Sequence, residues 1–140
     1  LLLGYKFLVI CTIVWCIYGI NDVWFFYVQH QFEQALKSMK SEWDFVEEAL
    51  IGSSRYKLPW ILNFTTTNIG EHPLHHLMSS MPHYRLRTGW KMMLKKFPEL
   101  EYIITEITFR ESLSCARLAL YDSEQQRMIT FKEYDREYRT

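Results

Sequence analysis

Of the five histidines in this 140-residue chain, His72, His75, His76 and His83 fall within one short stretch, and His30 stands alone upstream. The run His72-Pro73-Leu74-His75-His76 places imidazoles at i, i+3 and i+4, spacings that share a face when the backbone is helical. Proline is tolerated in the first helical turn, so the spacing predicts a helix starting at Pro73 that turns three ring nitrogens toward one side. Converging neutral imidazoles form a metal site, and they suit iron, zinc, copper or nickel. No cysteine stands nearby, which argues against a structural Cys/His zinc site. Asn68 lies one helical turn before His72, and Glu71 adjoins it. Either could hold a ligand's second nitrogen or a metal-bound water, although the plainer role for Asn68 is to cap the helix. His83 follows Pro82 in a turn and reads as a polar surface residue, not as a ligand. His30 stands where a long apolar segment ends, the depth of a site at the mouth of a helix bundle. Taken alone, it reads as an interfacial histidine.

A cluster of this kind needs elements to position it. Leu1 to Val28 carries only Lys6 and Asp22 as charges. A hydrocarbon core of ~30 Å takes ~20 apolar helical residues, so Leu1 to Ile20 is expected to span a membrane with Lys6 snorkelling to the headgroups. Trp24, Phe25, Phe26 and Tyr27 then form an interfacial belt or the face of a core helix. Residues 1–28 are thus a transmembrane unit, and 29–100 a segment that carries the histidine cluster. Within it Phe32, Ala35, Leu36, Met39, Trp43, Val46 and Leu50 recur at three- and four-residue steps between Lys37, Lys40, Glu42, Glu47 and Glu48. This pattern predicts an amphipathic helix over 31–50, interrupted near Ser41. Pro59 opens a short helix or turn over Leu58 to Phe64. Arg85 to Lys96 reads as a basic amphipathic helix, which either lies on an anionic membrane surface and marks the cytoplasmic side or shows its charges to solvent. Residues 101–140 are expected to form a compact tail. Tyr102 to Phe109 favours strand, Leu118 to Tyr121 and Met128 to Phe131 make a hairpin around Asp122 to Gln126, and Lys132 to Thr140 is a frayed end. No internal repeat stands out. The expected fold class is mainly α, a membrane helix plus amphipathic helices with a small β-hairpin-containing cytoplasmic tail.

Composition narrows the alternatives. A hydrophobic content of 49% excludes a disordered tail, and 16 basic against 16 acidic residues excludes a general nucleic-acid binder, which needs a net positive field. Cys11, Cys16 and Cys115 are odd in number and at no metal-site spacing, so a disulfide scaffold is also excluded.

The stretch from Glu42 to Leu86 resembles the C-terminal part of membrane fatty acid desaturases, with the closest likeness to the bacterial acyl-lipid omega-6 (delta-12) type. Asn68-Ile69-Gly70 followed by His72, His75, His76, Leu77, Pro82, Tyr84 and Leu86 is similar to that family's third histidine box, HxxHH with a trailing PxYxL. Phe26 to Glu33 is similar to the family's segment after the last membrane helix. The likeness covers nearly the whole chain, with Glu71 and Pro73 where relatives usually carry other residues. The resemblance implies a non-haem diiron enzyme with two iron ions on the cytoplasmic face of an integral membrane protein. Its substrates would be an acyl lipid and dioxygen, and its electron donor a ferredoxin or b-type cytochrome. His72, His75 and His76 would be iron ligands, His30 would take the place of the family's further histidine, and Asn68 would support a metal-bound water. A fatty acyl hydroxylase on the same scaffold would share all these residues, whereas a membrane-anchored remnant or interaction protein would leave the histidines idle. The chain opens at Leu1 in apolar residues and, outside His72 to His76, holds neither an HxxxH nor a second HxxHH box. It is therefore expected to be the C-terminal portion of a longer enzyme, binding iron weakly and desaturating nothing by itself.

Overall fold

The computed structural model describes residues 2–39 and 41–139, so Leu1, Lys40 and Thr140 of the expected segments lie outside the described residues. The chain opens with a long helix, α1 (Leu2–His30), of which Gly4–His30 is long and apolar enough to cross a membrane. No residue of its apolar window is buried inside the protein, unlike the covered flank of a soluble core helix. The last two turns behave differently. Trp24, Phe25 and Tyr27 pack on the protein core while Phe26 stays 66% exposed, so most of the expected aromatic belt is a packing face.

Beyond His30 the structure departs from the expected helix over 31–50. Only α2 (Phe45–Leu50) is helical, started by the Asp44 side chain, which accepts from the Val46 and Glu47 amides. The reason lies in where the backbone of 31–38 bonds. The Glu33 carbonyl accepts from the Met128 amide at 2.8 Å, and the Ser38 amide donates to Glu48 at 3.0 Å. Phe32 and Ala35 are meanwhile buried beneath the C-terminal hairpin. These tertiary bonds displace the local helical ladder.

A short strand, β1 (Arg55–Lys57), leads through α3 (Trp60–Thr65), which Pro59 starts as expected, to α4 (His72–Leu77) and α5 (His83–Lys96). After α6 (Leu100–Ile103), strand β2 (Glu106–Thr108) pairs parallel to β1 in the register Arg55–Glu106, Tyr56–Ile107, Lys57–Thr108. The strand expected over 102–109 is therefore three residues long, with Tyr102 and Ile103 in α6 and Phe109 opening α7 (Phe109–Cys115). The hairpin forms where expected, from β3 (Leu118–Asp122) and β4 (Arg127–Thr130), antiparallel with an irregularity between Leu118 and Leu120. The presumed frayed end is instead a helix, α8 (Phe131–Glu137), which begins in a capping box between Thr130 and Glu133.

Two cores result. One joins Val28, Phe32 and Ala35 to Tyr56, Ile107, Cys115 and Met128, fastening the end of α1 to both small sheets. The other joins Leu50, Leu74, Leu86, Trp90 and Ile104, fastening α4 between α2 and α5. The whole is mainly helical with a small hairpin, as the sequence predicts. A short repeat escaped sequence inspection: Ile107-Thr108-Phe109-Arg110-Glu111 and Ile129-Thr130-Phe131-Lys132-Glu133 both bury the isoleucine at a strand end and cap the following helix through the threonine. Thr130→Ala removes one such cap and is expected to cost about 1 kcal/mol. The check is amide hydrogen exchange across 131–137, which should quicken; unchanged exchange would show that α8 does not need its cap.

Candidate metal centre

The end of α1 and the start of α4 bring three imidazoles to one point. His30 Nε2 lies 2.9 Å from His72 Nε2 and 3.1 Å from His76 Nε2, and the latter two are 3.0 Å apart. His72 and His76 share a face because they are one helical turn apart, and Pro73 in the first turn starts the helix that aligns them. The tertiary fold supplies the third member.

Such a triangle cannot be closed by hydrogen bonds alone. A neutral imidazole nitrogen is a donor or an acceptor, never both, and an odd ring cannot alternate the two. The Nδ1 of His30 lies 3.2 Å from the Gly52 carbonyl, which can only accept, so that nitrogen carries the proton and Nε2 presents a lone pair inward. A divalent cation satisfies all three nitrogens at once. Metal–nitrogen bonds near ~2.1 Å at right angles put neighbouring nitrogens ~3.0 Å apart, whereas a tetrahedral zinc spreads them to ~3.4 Å. The observed edges of 2.9 to 3.1 Å are short enough for one ion to meet all three nitrogens. The three rings therefore fit the metal that the histidine pattern implies.

Electrostatics keeps the rings neutral and ready to ligate. Burial, then the neighbouring imidazoles His30, His76 and His75, push His72 down to about 2, and burial with His30 and His75 also lowers His76. The triangle opens on one side into a cleft of about 260 Å³ lined by Lys37, Trp43, Phe45, Glu48, Gly52 and the rings of His30 and His76.

The other histidines stand apart. The ring of His75 is centred 5.8 Å from that of His72 and 5.9 Å from that of His76, and it adds no atom to the triangle. The expectation that His72, His75 and His76 all turn to one side thus holds for the i, i+4 pair only, because the i+3 ring points off the shared axis. His83 is exposed at the start of α5. Asn68 is not the cap of α4; Glu71 occupies that position, and the Asn68 amide donates to the His83 carbonyl at 3.2 Å. Asn68 and Thr67 both adopt left-handed backbone, φ 60° and 56°, which for β-branched Thr67 is a strained conformation that turns the chain into α4.

Glu71 is likewise not free for a ligand. Its buried carboxylate forms a two-point bridge to Arg55, Nε to Oε2 at 2.6 Å and Nη2 to Oε1 at 3.2 Å, while the guanidinium lies 5.0 Å over the Trp90 ring and also meets Glu106. The Gly70 carbonyl accepts from the Tyr56 amide at 2.9 Å, and a Cβ at Gly70 would come within 2.5 Å of the Tyr56 carbonyl. β1 therefore grips the residues immediately before His72. Sequence inspection missed Arg55 and Gly52, since both act through contacts distant in the chain and neither belongs to a histidine motif.

With this geometry in view, similarity to known proteins is specific. The fatty acid desaturase family model matches residues 1–108. A fatty acid desaturase of Bacillus subtilis (strain 168) is 35% identical over 135 residues, which covers 94% of this chain and 36% of the relative. No solved structure matches. A long apolar helix that ends in three clustered histidines is consistent with a membrane-associated protein that has a metal site. The chain belongs to the fatty acid desaturase family. It spans about a third of the length of the curated relative it matches.

Two outcomes follow from the site's construction. Arg55→Ala leaves the Glu71 carboxylate buried and unpaired, which should cost about 3 kcal/mol, read as a lowered chemical-denaturation midpoint; an unchanged midpoint would mean that the bridge does not hold α4. In metal-free protein the depressed His72 favours folding above its ordinary value of 6.5, and that contribution is lost as pH falls toward about 2. Stability should decline by up to about 1.4 kcal/mol per pH unit below that value, and His72→Gln should flatten the slope in acid unfolding curves.

Proposed function

We propose that this chain is the C-terminal part of a membrane non-haem diiron fatty acid desaturase, of the bacterial acyl-lipid omega-6 type, that introduces a cis double bond into an acyl chain. The observation that carries the reading is the Nε2 triangle of His30, His72 and His76 at the end of an apolar helix, in a member of the desaturase family. Iron bound there supplies the oxidising chemistry: dioxygen, two electrons and two protons take two hydrogens from neighbouring acyl carbons, leaving a double bond and two waters. An unactivated C–H bond gives no handle for acid–base catalysis, so a metal oxidant is required.

The chain's own residues hold and orient. His30, His72 and His76 offer Nε2 to one ion, and His75, adjacent but turned away, is available to a second whose other ligands lie outside these residues. An apolar groove of about 880 Å³ runs beside α1 between Trp15, Ile20, Trp24, Tyr27, Phe109 and Leu113, and reaches within one turn of His30. It suits an acyl chain. Arg85, Arg87, Lys91, Lys95 and Lys96 are exposed along α5, whose apolar residues Leu86 and Trp90 face α4, and this basic surface supports placing the site and the tail on the cytoplasmic side. An acidic ferredoxin or a b-type cytochrome is the electron donor that the family reading implies.

The test is to express the chain together with its upstream coding region and analyse membrane lipids by mass spectrometry. A new cis double bond that requires dioxygen and vanishes in His76→Ala supports the reading. Hydroxylated acyl chains in its place would assign a hydroxylase on this scaffold. Lipids unchanged by the active gene and its His76→Ala variant alike would leave a remnant or interaction protein.

A further inference from the structure

Two complementary polar atoms, both buried and both without a hydrogen-bond partner among the described residues, belong to residues at the imidazole triangle, one to Gln29 beside His30 and one to His72 itself. Gln29 is wholly buried in the last turn of α1, one residue before His30. Its amide orientation is set by Nε2, which donates to the Ile69 carbonyl at 2.8 Å, and its backbone carbonyl accepts from the Ser54 amide at 2.9 Å. The Oε1 acceptor is left bare. His72, three residues after Ile69, is the converse case: Nε2 faces His30 and His76, while Nδ1 is buried and unpaired.

An imidazole that ligates through Nε2 must carry its proton on Nδ1, and that proton needs an acceptor to fix the tautomer and the plane of the ring. His30 has one in the Gly52 carbonyl at 3.2 Å. His72 Nδ1 has none among the described residues, and Gln29, whose Nε2 bonds Ile69 three residues before His72, carries an acceptor oxygen equally without a partner. A bare buried amide oxygen costs about 1–3 kcal/mol, and a water held between two polar groups is the ordinary way such a pair is satisfied.

We propose that Gln29 is the positioning residue of His72, accepting its Nδ1 proton through one buried water and so holding the ring with Nε2 toward a bound metal ion. The inference rests on the metal-site reading above. It makes Gln29 and Gly52 equivalent parts, one acceptor for each of the two most enclosed ligands. It also gives Gln29 a double hold on the site, since the donor end of the same amide fixes the loop before α4.

The test uses the full chain in lipid nanodiscs, titrated with cobalt(II), with 15N-labelled histidine to report ring tautomers. Gln29→Met preserves length and apolar packing but removes the acceptor; Gln29→Glu preserves the acceptor oxygen. We expect Gln29→Met to lower cobalt(II) affinity by about 10–100-fold and to shift metal-free His72 away from the Nδ1–H tautomer, and Gln29→Glu, which keeps an acceptor but loses the donor to the Ile69 carbonyl, to retain that tautomer and bind cobalt(II) more tightly than Gln29→Met. A packing role alone reverses that order, because methionine fits an apolar wall and a carboxylate does not. Unchanged affinity and tautomer in Gln29→Met, with cobalt(II) binding lost in His76→Ala, would overturn the role of Gln29 and leave the metal site standing. Native-like binding in His76→Ala would refute the metal reading, and the metal-free tautomer would still decide for or against Gln29. Should Gln29→Met fail to fold, the unmodified protein decides: an exchange-protected Nδ1–H on His72 supports the assignment, and a dominant Nε2–H form overturns it.

Discussion

Three ring nitrogens held about 3 Å apart cannot all satisfy one another, because an odd ring cannot alternate donor and acceptor, and most of this fold works to keep them there. The rings come from two segments that the sequence separates by some forty residues, so no local preference can bring them together. The last turn of α1 carries one ring and the first turns of α4 carry two. Holding those turns in register is the task of the cores, the clamp of β1 on the loop before His72, and the Arg55–Glu71 bridge.

The placement of that site follows from α1. Its N-terminal part has the length and hydropathy of a membrane span, while Val28 and its neighbours bury against the sheets and α7. The histidines therefore sit where the apolar helix meets the folded polar unit. An apolar groove lies along α1 as far as Tyr27, and a separate cleft lined by Lys37 and Glu48 includes His30 and His76.

The C-terminal tail shows how short motifs stabilise small sheets. Each of the two Ile-Thr-Phe-basic-Glu segments ends a strand with a buried isoleucine and begins a helix with a reciprocal cap. Tyr56 then joins the first of these units to the centre through its hydroxyl contact with Ser112 at 2.8 Å. The tail thus braces β1 through β2 and α7.

The membrane-grade helix, the short helix after Pro59, the hairpin around Asp122 to Gln126 and the pairing of His72 with His76 were legible in the sequence by itself. Each depends on local periodicity, turn chemistry or the i, i+4 spacing of a helix, which neighbouring residues determine. The fate of 31–50 was not legible, because its helical period is real but its backbone bonds are taken by β4 and α2. Strand β1 is three residues long and exists only through pairing with β2, fifty residues downstream. The same limit applied at the site. Sequence pattern marked the HxxHH run and His30 as candidates, but only the tertiary structure decided that His30 joins His72 and His76 while His75 turns away, and that Glu71 is bound to Arg55. Those outcomes are set by contacts between segments distant in the chain, where packing and charge pairing outweigh any preference the local sequence carries.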